Sequence, residues 1–355
     1  MNCIDIIEKI ESEHPASKEE YAFLLKNISA GERELLRKKA QKTALNVFGN
    51  KVFIRGLIEI SSVCKNDCRY CGIRKSNRNA VRYRLTKEQI LECCKNGYGL
   101  GFRTFVLQGG EDGYFTDEVM TDIVSTVRKE YPDCAITLSL GERGYQSFKR
   151  LFEAGANRYL LRHETADMEH YNKLHQSKMS FERRRQSLFW LKEIGYQTGA
   201  GFMVGSPYQT FETLAEDLIF IKELNPEMCG IGPFIPHKDT EYRNYPSGSL
   251  ELTLTLLSII RLLKPDILLP ATTALGTVDA KGREMGILHG ANVVMPNLSP
   301  AEHRADYSLY DNKICTGDEA AECIKCLSGR MKSIGYQIVT DRGDYCPNER
   351  KQKDV

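Results

Sequence analysis

Residues 52–71 read VFIRGLIEISSVCKNDCRYC, a β-prone run from Val52 to Ile60 followed directly by a loop that carries Cys64, Cys68 and Cys71. Outward from it the pattern recurs: TFVLQ from Thr104, AITLSL from Ala135, RYLLR from Arg158, QTGAGFMVG from Gln197, MCGIGPF from Met228, ILLPATT from Ile267 and NVVMP from Asn292 all have strand composition. Between these runs lie segments of helical period or with helix-start signals: Thr86 with Gln89, Thr116, Tyr145 to Phe152, Phe181 to Ile194, Phe211 to Leu224, Leu250 to Leu263, and a short piece near Gly282. Eight runs alternating with helices predict an α/β fold, a complete (β/α)8 TIM-type barrel. A doubly wound open sheet would alternate in the same way, but its Gly-rich fingerprint does not follow the first run. Residues 1–50 read as an N-terminal helical extension, with a capping box at Ser17 and Glu20 and a charged amphipathic stretch from Gly31 to Leu45. The barrel is expected over 51–300. Residues 301–355 then form a C-terminal helical and loop closure, ending from Arg342 in a loose tail.

Lys and Arg number 49 and Asp and Glu 47, a formal charge of +2. That excludes a role driven by bulk charge, so neither duplex nucleic acid nor a membrane surface is an expected partner. The longest apolar stretch, Leu252 to Leu263, contains Ser258 and Arg261, and the N-terminal residues include Asp5, Glu8 and Glu11. Neither a membrane span nor a secretion signal fits, and a soluble, cytoplasmic protein is expected. Twelve cysteines in 355 residues are too few for a secreted disulfide scaffold. In a reducing compartment they serve as metal ligands or nucleophiles.

Cys64, Cys68 and Cys71 have the spacing C-x3-C-x2-C at the C-terminal end of a strand, where barrel active sites are built. Three thiolates there can hold an iron–sulfur cube and leave its fourth iron without a protein ligand. A structural zinc site prefers four closed ligands, and no fourth partner lies nearby. With Tyr70 before the last cysteine, the loop resembles that of the radical S-adenosylmethionine (SAM) superfamily. The resemblance implies a [4Fe-4S] cluster whose open iron is chelated by SAM, and reductive cleavage of SAM to methionine and a 5′-deoxyadenosyl radical. The superfamily's second mark stands as Gly109, Gly110 and Glu111 in VLQGGED; the glycines allow the backbone close to SAM, although Gly-Gly after a strand also makes a plain turn.

In RYLLRHE, alternation puts Leu160, Arg162 and Glu164 on one face and Tyr159, Leu161 and His163 on the other. Two charges near a barrel mouth are costly unless they bind something polar or each other. Thr137 with Ser139, and Thr272 with Thr273 in PATTALGT, are further candidates for polar contacts, or satisfied core groups. Of Arg183, Arg184 and Arg185, one turned inward could hold SAM's carboxylate while the others stay solvated. Gly230 and Gly232 leave backbone free to pair an adenine edge, and Met203 suits either adenosine or the core. A second trio, Cys315, Cys323 and Cys326, suggests another iron–sulfur site, [2Fe-2S] or [4Fe-4S]; a structural metal or reduced surface thiols would also account for it. Cys3, Cys93, Cys94, Cys134, Cys229 and Cys346 lack ligand spacing and read as packing or solvent thiols.

The ordered set SSVCKNDCRYCGIRKSNR, RYRLT, VLQGGED, TLSLGE, RYLLRHETA, GAGFMVG, GIGPFIPHKDT, PATTALGT and GANVVMPN resembles the HydE family of [FeFe]-hydrogenase maturases, from about Val52 to Cys326. One departure, QGGED where relatives can read QSGED, restores the superfamily norm. The resemblance implies that Cys64, Cys68 and Cys71 ligate the catalytic cluster and that Glu164 and Arg184 hold SAM. It places Tyr70, Met203 and Ile231 around adenosine, and Arg162, Thr137, Thr272, Thr273, Tyr307 and Tyr310 around the substrate. Cys315, Cys323 and Cys326 match an accessory cluster that some members lack. The implied substrate is a cysteine-bound Fe(CO)2(CN) complex delivered by the tyrosine-cleaving maturase HydG. Its iron–sulfur fragment goes on to the GTPase scaffold HydF, and a ferredoxin or flavodoxin supplies electrons. The rivals are a methylornithine-synthase-like mutase, a biotin-synthase-like enzyme, for which VLQGG and GAGFMVG lack cluster ligands, and a non-catalytic iron–sulfur scaffold, which would need no polar barrel mouth.

Overall fold

The computed structural model describes residues 1–12, 14, 16–314 and 324–347. The first run is split at Arg55 into β1 (Lys51–Ile54) and β2 (Gly56–Ser61). From β2 the sheet proceeds with every neighbour parallel through β3 (Thr104–Gly109), β4 (Ala135–Ser139), β5 (Arg158–Leu160) and β6 (Gln197–Ala200). Past β7 (Met203–Val204), β8 (Met228–Cys229) adds to β6, while β7 pairs with β9 (Gly232–Pro233). Isolated parallel bridges carry the ring onward, from Met228 to Leu268 and from Pro270 to Val293 in β10 (Val293–Val294). A last bridge, Leu57 to Asn297, returns to β2, where Leu57 N donates to Pro296 O (2.9 Å). The expected eight-stranded ring is therefore present, with one difference: ILLPATT forms bridges rather than a strand. Pro270 has no ladder donor, and Thr272 already stands at the N-terminus of the helix Thr273–Val278.

The helices Phe181–Ile194, Phe211–Leu224 and Leu250–Leu263 have the expected bounds, each opened by a Ser or Thr whose side chain accepts from a first-turn N–H. Lys18–Asn27 begins with the capping box of Ser17 and Glu20, and packs against Phe211–Leu224. Ala30–Phe48 lies on Leu250–Leu263. Covered on both sides, Leu250–Leu263 is apolar almost all round. Its fully buried Arg261 donates to Gly290 O (2.8 Å) and Pro265 O (2.7 Å). Among the described residues no helix is long and apolar enough to cross a membrane.

The N-terminal end of the barrel is closed by charge. Arg158, fully buried at the start of β5, donates to Gln197, Thr104, Arg342 O and Asp344, the last at 2.7 Å. Residues 342–345, whose composition suggested the start of a loose tail, are thus docked beneath the strands; Tyr345 OH also donates to Asp266 (2.8 Å). An unpaired buried guanidinium is expensive, and this segment supplies its partners.

Candidate active site at the mouth of the barrel

β2 delivers the chain into the cysteine loop, which is fixed from several sides. Lys65 N donates to Glu111 O (2.9 Å), Arg69 N to Leu174 O (3.0 Å) and Gly72 N to Leu309 O (2.9 Å). The Arg82 guanidinium donates to the carbonyls of Ser62, Ile73, Arg74 and Asn77. Burial raises the Cys64 thiol, and burial with the charges of Cys71 and Cys64 raises Cys68 further. Cys71 is pushed up to about 12 by burial and then by Cys64. The three thiols sense one another, and loading a metal must expel their protons. Among the described residues no three His, Cys, Asp or Glu side chains gather as ligands of one ion would. A cube that offers each thiolate its own iron suits the three-thiol donor set better than a single ion does.

The glycine pair divides its work. A Cβ on Gly110 would lie 2.3 Å from Val63 O and 2.8 Å from Cys64 Cβ, so the missing side chain is replaced by the cysteine loop itself. At Gly109 the nearest atoms would be at an ordinary 3.4 Å. Glu111 ties the loop to the next strand end: its carboxylate is 3.0 Å from Lys65 Nζ and accepts from Glu142 N (2.9 Å).

Above β5, Glu164 has the positive φ of 66°, held by Glu164 N donating to Gly201 O (3.0 Å). Its carboxylate is 3.0 Å from Arg162 Nη2, on the shared face expected from alternation. The pair is close but not aligned for hydrogen bonding, and Glu164 Oε2, Arg162 Nε and Arg162 Nη2 have no hydrogen-bond partner. Thr137 Oγ1 and Thr272 Oγ1 are equally unpartnered. Buried polar atoms rarely stay so unless water or a ligand completes them. Of the three successive arginines it is Arg184 that turns inward, donating from Nε to Glu142 (2.5 Å) and from Nη1 to Arg162 O (2.7 Å). Its cation is strengthened despite burial by Tyr171 and Glu142. Arg183 is exposed, and Arg185 pairs with Glu223.

Tyr70 packs with Met203, Leu174, Phe234 and Tyr242. Its hydroxyl is 3.4 Å from His175 Nε2. Because His175 Nδ1 faces Tyr171 O at 3.0 Å and must donate to it, Nε2 accepts from Tyr70. Ile231 is fully buried in the main core, and Gly232 sits against Thr272, where a Cβ would be 2.8 Å from Oγ1. Ser139 and Thr273 are half-buried. Tyr307 is buried, with its hydroxyl 3.5 Å from Gln108 Nε2, and Tyr310 is half-buried. Cys315 and Cys323 lie outside the described residues; Cys326 is exposed on the helix Ile324–Ser333. Cys3, Cys93, Cys94, Cys134 and Cys229 are buried free thiols and Cys346 an exposed one.

Several functional residues were not singled out from sequence. Glu142 is needed to keep Arg184 in place, yet the two are 42 residues apart and only the fold joins them. Arg55, fully buried between β1 and β2, points Nη1 at Met228 Sδ (2.9 Å) and leaves Nε and Nη2 without partners. A lone arginine inside an apolar run was the available signal. Lys313 reaches Glu59 (2.6 Å), tying the segment after Tyr310 to β2.

A parallel barrel with three loop cysteines and orphaned polar groups at its mouth defines a radical SAM enzyme, and the sequence profile of the radical SAM superfamily matches residues 58–221. The [FeFe] hydrogenase maturase subunit HydE of Thermotoga maritima is 43% identical over 96% of both chains. The 3-methylornithine synthase of Methanosarcina acetivorans is 30% identical over 93% of this chain and 92% of its own. A solved methylornithine synthase superposes with a TM-score of 0.81 at 27% identity, covering 94% of this chain and 97% of that one. The chain belongs to the HydE family of hydrogenase maturases within the radical SAM superfamily.

Proposed function

We propose that this chain cleaves SAM reductively and directs the radical to the sulfur of a cysteine-bound Fe(CO)2(CN) complex during assembly of the [FeFe]-hydrogenase diiron subcluster. The observation that carries the reading is the set of unpartnered buried atoms on Arg162, Glu164, Thr137 and Thr272, close to three mutually coupled cysteines. Cys64, Cys68 and Cys71 would hold a [4Fe-4S] cluster, which when bound supplies the electron that splits SAM to methionine and a 5′-deoxyadenosyl radical.

The protein's own task is orientation and exclusion of water. Glu164 offers a carboxylate to SAM's ammonium, and Arg184, kept charged by Glu142, offers its cation to SAM's carboxylate. Gly109, Gly110 and Glu111 set the backbone beside the amino-acid end; Tyr70, Met203 and Ile231 border adenosine. Arg162, Thr137, Thr272, Thr273, Tyr307 and Tyr310 line the substrate space. The stretch from Tyr307 to Ile314 roofs one side of the mouth: Asp311 N donates to Pro236 O (3.1 Å), and Lys313 to Tyr307 O (2.9 Å) as well as Glu59. HydG would supply the complex and HydF receive the product, with an acidic ferredoxin or flavodoxin as electron donor. Cys315, Cys323 and Cys326 would carry an accessory cluster.

The similarity to methylornithine synthases favours one second reading, a radical mutase acting on lysine. Anaerobic reconstitution followed by measurement of 5′-deoxyadenosine separates them. Stimulation by an iron–cysteine carbonyl cyanide complex is expected; stimulation by lysine instead would select the mutase. Absence of SAM cleavage in fully loaded, reduced protein would reduce the chain to a scaffold.

A further inference from the structure

Residues 64–78 hold Lys65, Arg69, Arg74, Lys75 and Arg78 against one acid, Asp67: five minus one, or +4, within a chain whose formal charge is +2. Lys65 is neutralised by Glu111, Arg69 by Glu241, and Arg74 by Asp67 and Glu241. Lys75 and Arg78 are exposed without an acidic partner among the described residues, as are Lys173, Lys178, Lys238 and Arg243. The segments are contiguous. Asn79 Nδ2 donates to Asp239 (2.9 Å), Arg69 N to Leu174 O, and Tyr242 OH to Lys173 O. Glu169 is the one exposed acid of the helix Met168–Leu174.

Within this basic rim sits an aromatic patch. Tyr208 is 52% exposed and Tyr245 36% exposed, their hydroxyls 2.9 Å apart, and both rings pack on the buried Tyr242 at 6.2 and 5.3 Å between centroids. Tyr208 holds a positive φ of 67°, an uncommon conformation for a bulky residue, and Lys173 Nζ lies 5.3 Å over its ring. Tyr242 belongs to the same apolar group as Tyr70, the residue directly before Cys71. The patch therefore adjoins, through Tyr242, the apolar group on which Tyr70 of the cysteine loop packs.

Exposed aromatics bordered by a majority of unpaired cations, with Glu169 the exposed acid among them, are the anatomy of a transient protein interface. From this arrangement we infer that the face formed by Lys75, Arg78, Lys173, Arg243, Tyr208 and Tyr245 docks a small acidic one-electron carrier protein. The inference rests on the proposed radical SAM function. One electron leaves the reduced flavin or iron–sulfur centre of the carrier, which is oxidised by one electron, and reduces the cluster held by Cys64, Cys68 and Cys71; no bond or proton is exchanged. Charge complementarity selects the carrier and accelerates its encounter, so the contact should weaken steeply with salt.

The test is a triple variant, Lys75→Glu, Lys173→Glu and Arg243→Glu, reconstituted alongside the wild type. Three readouts are compared: affinity for an acidic flavodoxin, SAM cleavage driven by that reduced flavodoxin, and cleavage driven by dithionite. Flavodoxin affinity and flavodoxin-driven cleavage should fall about 10- to 100-fold, with the salt dependence lost, while iron content and the dithionite-driven rate stay at wild type. Unchanged flavodoxin affinity and rate would overturn the docking face. Loss of iron or of dithionite-driven cleavage would also overturn it, by showing that these cations serve the cluster itself. Wild type that fails to cleave SAM even with dithionite would instead dispose of the function on which the inference rests.

Discussion

Substituting Gly110 by Ala should dislodge the cysteine loop and leave the barrel folded. The added Cβ would stand 2.3 Å from Val63 O, where 3.4 Å is an ordinary contact, so that backbone must retreat by the difference, 1.1 Å. It cannot retreat freely. Ser62 O is gripped by Arg82, and Lys65 N is bonded to Glu111 O on the very strand end that carries Gly110. The overlap therefore displaces Cys64, whose Cβ would be 2.8 Å from the new methyl group. Overpacking of this kind costs about 1–3 kcal/mol, and a displacement of about 1 Å in a reacting constellation costs on the order of 100-fold in rate. Iron content after anaerobic reconstitution, 5′-deoxyadenosine formation and thermal unfolding would be measured together. The expected result is partial iron loading, a rate lowered about 100-fold and a melting temperature lowered by only a few degrees. Gly109→Ala is the control: its Cβ meets nothing closer than 3.4 Å, so iron should load normally, and any defect should appear as weaker SAM binding. Full iron and a wild-type rate in Gly110→Ala would refute the argument that the loop is packed against this glycine.

Arg184→Lys keeps the charge but not the fork that joins Glu142 to Arg162 O, and should raise the KM for SAM about 10-fold; an unchanged KM would confine Arg184 to a structural part. Asp344→Ala strands the buried Arg158 cation and should cost about 3–5 kcal/mol in chemical unfolding without altering SAM affinity, whereas a loss below about 1 kcal/mol would contradict the closure described for the barrel floor. His175 is held down to about 3, first by burial and then by the Arg184 cation. The unfolded chain takes up this proton from about pH 6.5 downward and the folded chain only near 3, so stability falls as pH drops through that window. Between pH 7 and pH 5, His175→Gln should therefore lose roughly 2 kcal/mol less stability than the wild type in urea titrations; equal losses would count against a neutral buried imidazole.

What could be read from sequence, and what could not, follows from the range of the interactions. Ser180, Thr210 and Ser249 cap helices whose period persists for fourteen residues each, and local signals of that length fix both ends. Met168–Leu174, seven residues long, is too short to display a period. The run from Val52 looked like one strand because every residue but Arg55, Gly56 and Glu59 suits a strand. Arg55 in fact divides it, with Arg55 N donating to Val294 O on one side and Gly56 pairing with Phe105 on the other. At the site, the three cysteines and the Arg162–Glu164 alternation were legible because their spacing is itself the chemistry. Gly110 was legible only as a glycine: the atoms that forbid a side chain there come from Val63 and Cys64, a tertiary contact that spacing cannot reveal. Glu142 and Lys313 were hidden for the same reason.

The mouth of the barrel gathers an acid, a cation and two hydroxyls that are all unmatched, and this clustering argues for where chemistry occurs. At the floor, each nitrogen of Arg158 meets an acceptor, drawn from β3, β6 and a C-terminal segment beyond residue 340. At the mouth, Arg162 and Glu164 stand 3.0 Å apart and still leave Nε, Nη2 and Oε2 unmatched, with two threonine hydroxyls in the same condition. The floor thus satisfies one fully buried guanidinium completely, although Arg55 near it keeps Nε and Nη2 unmatched. The unmatched groups at the other end are held so by positive φ at Glu164 and by Arg184, which takes the Arg162 carbonyl while Glu142 occupies its own charge. Each of these restraints stops the mouth from collapsing into self-satisfied ion pairs, the arrangement expected where a charged ligand must supply the missing partners.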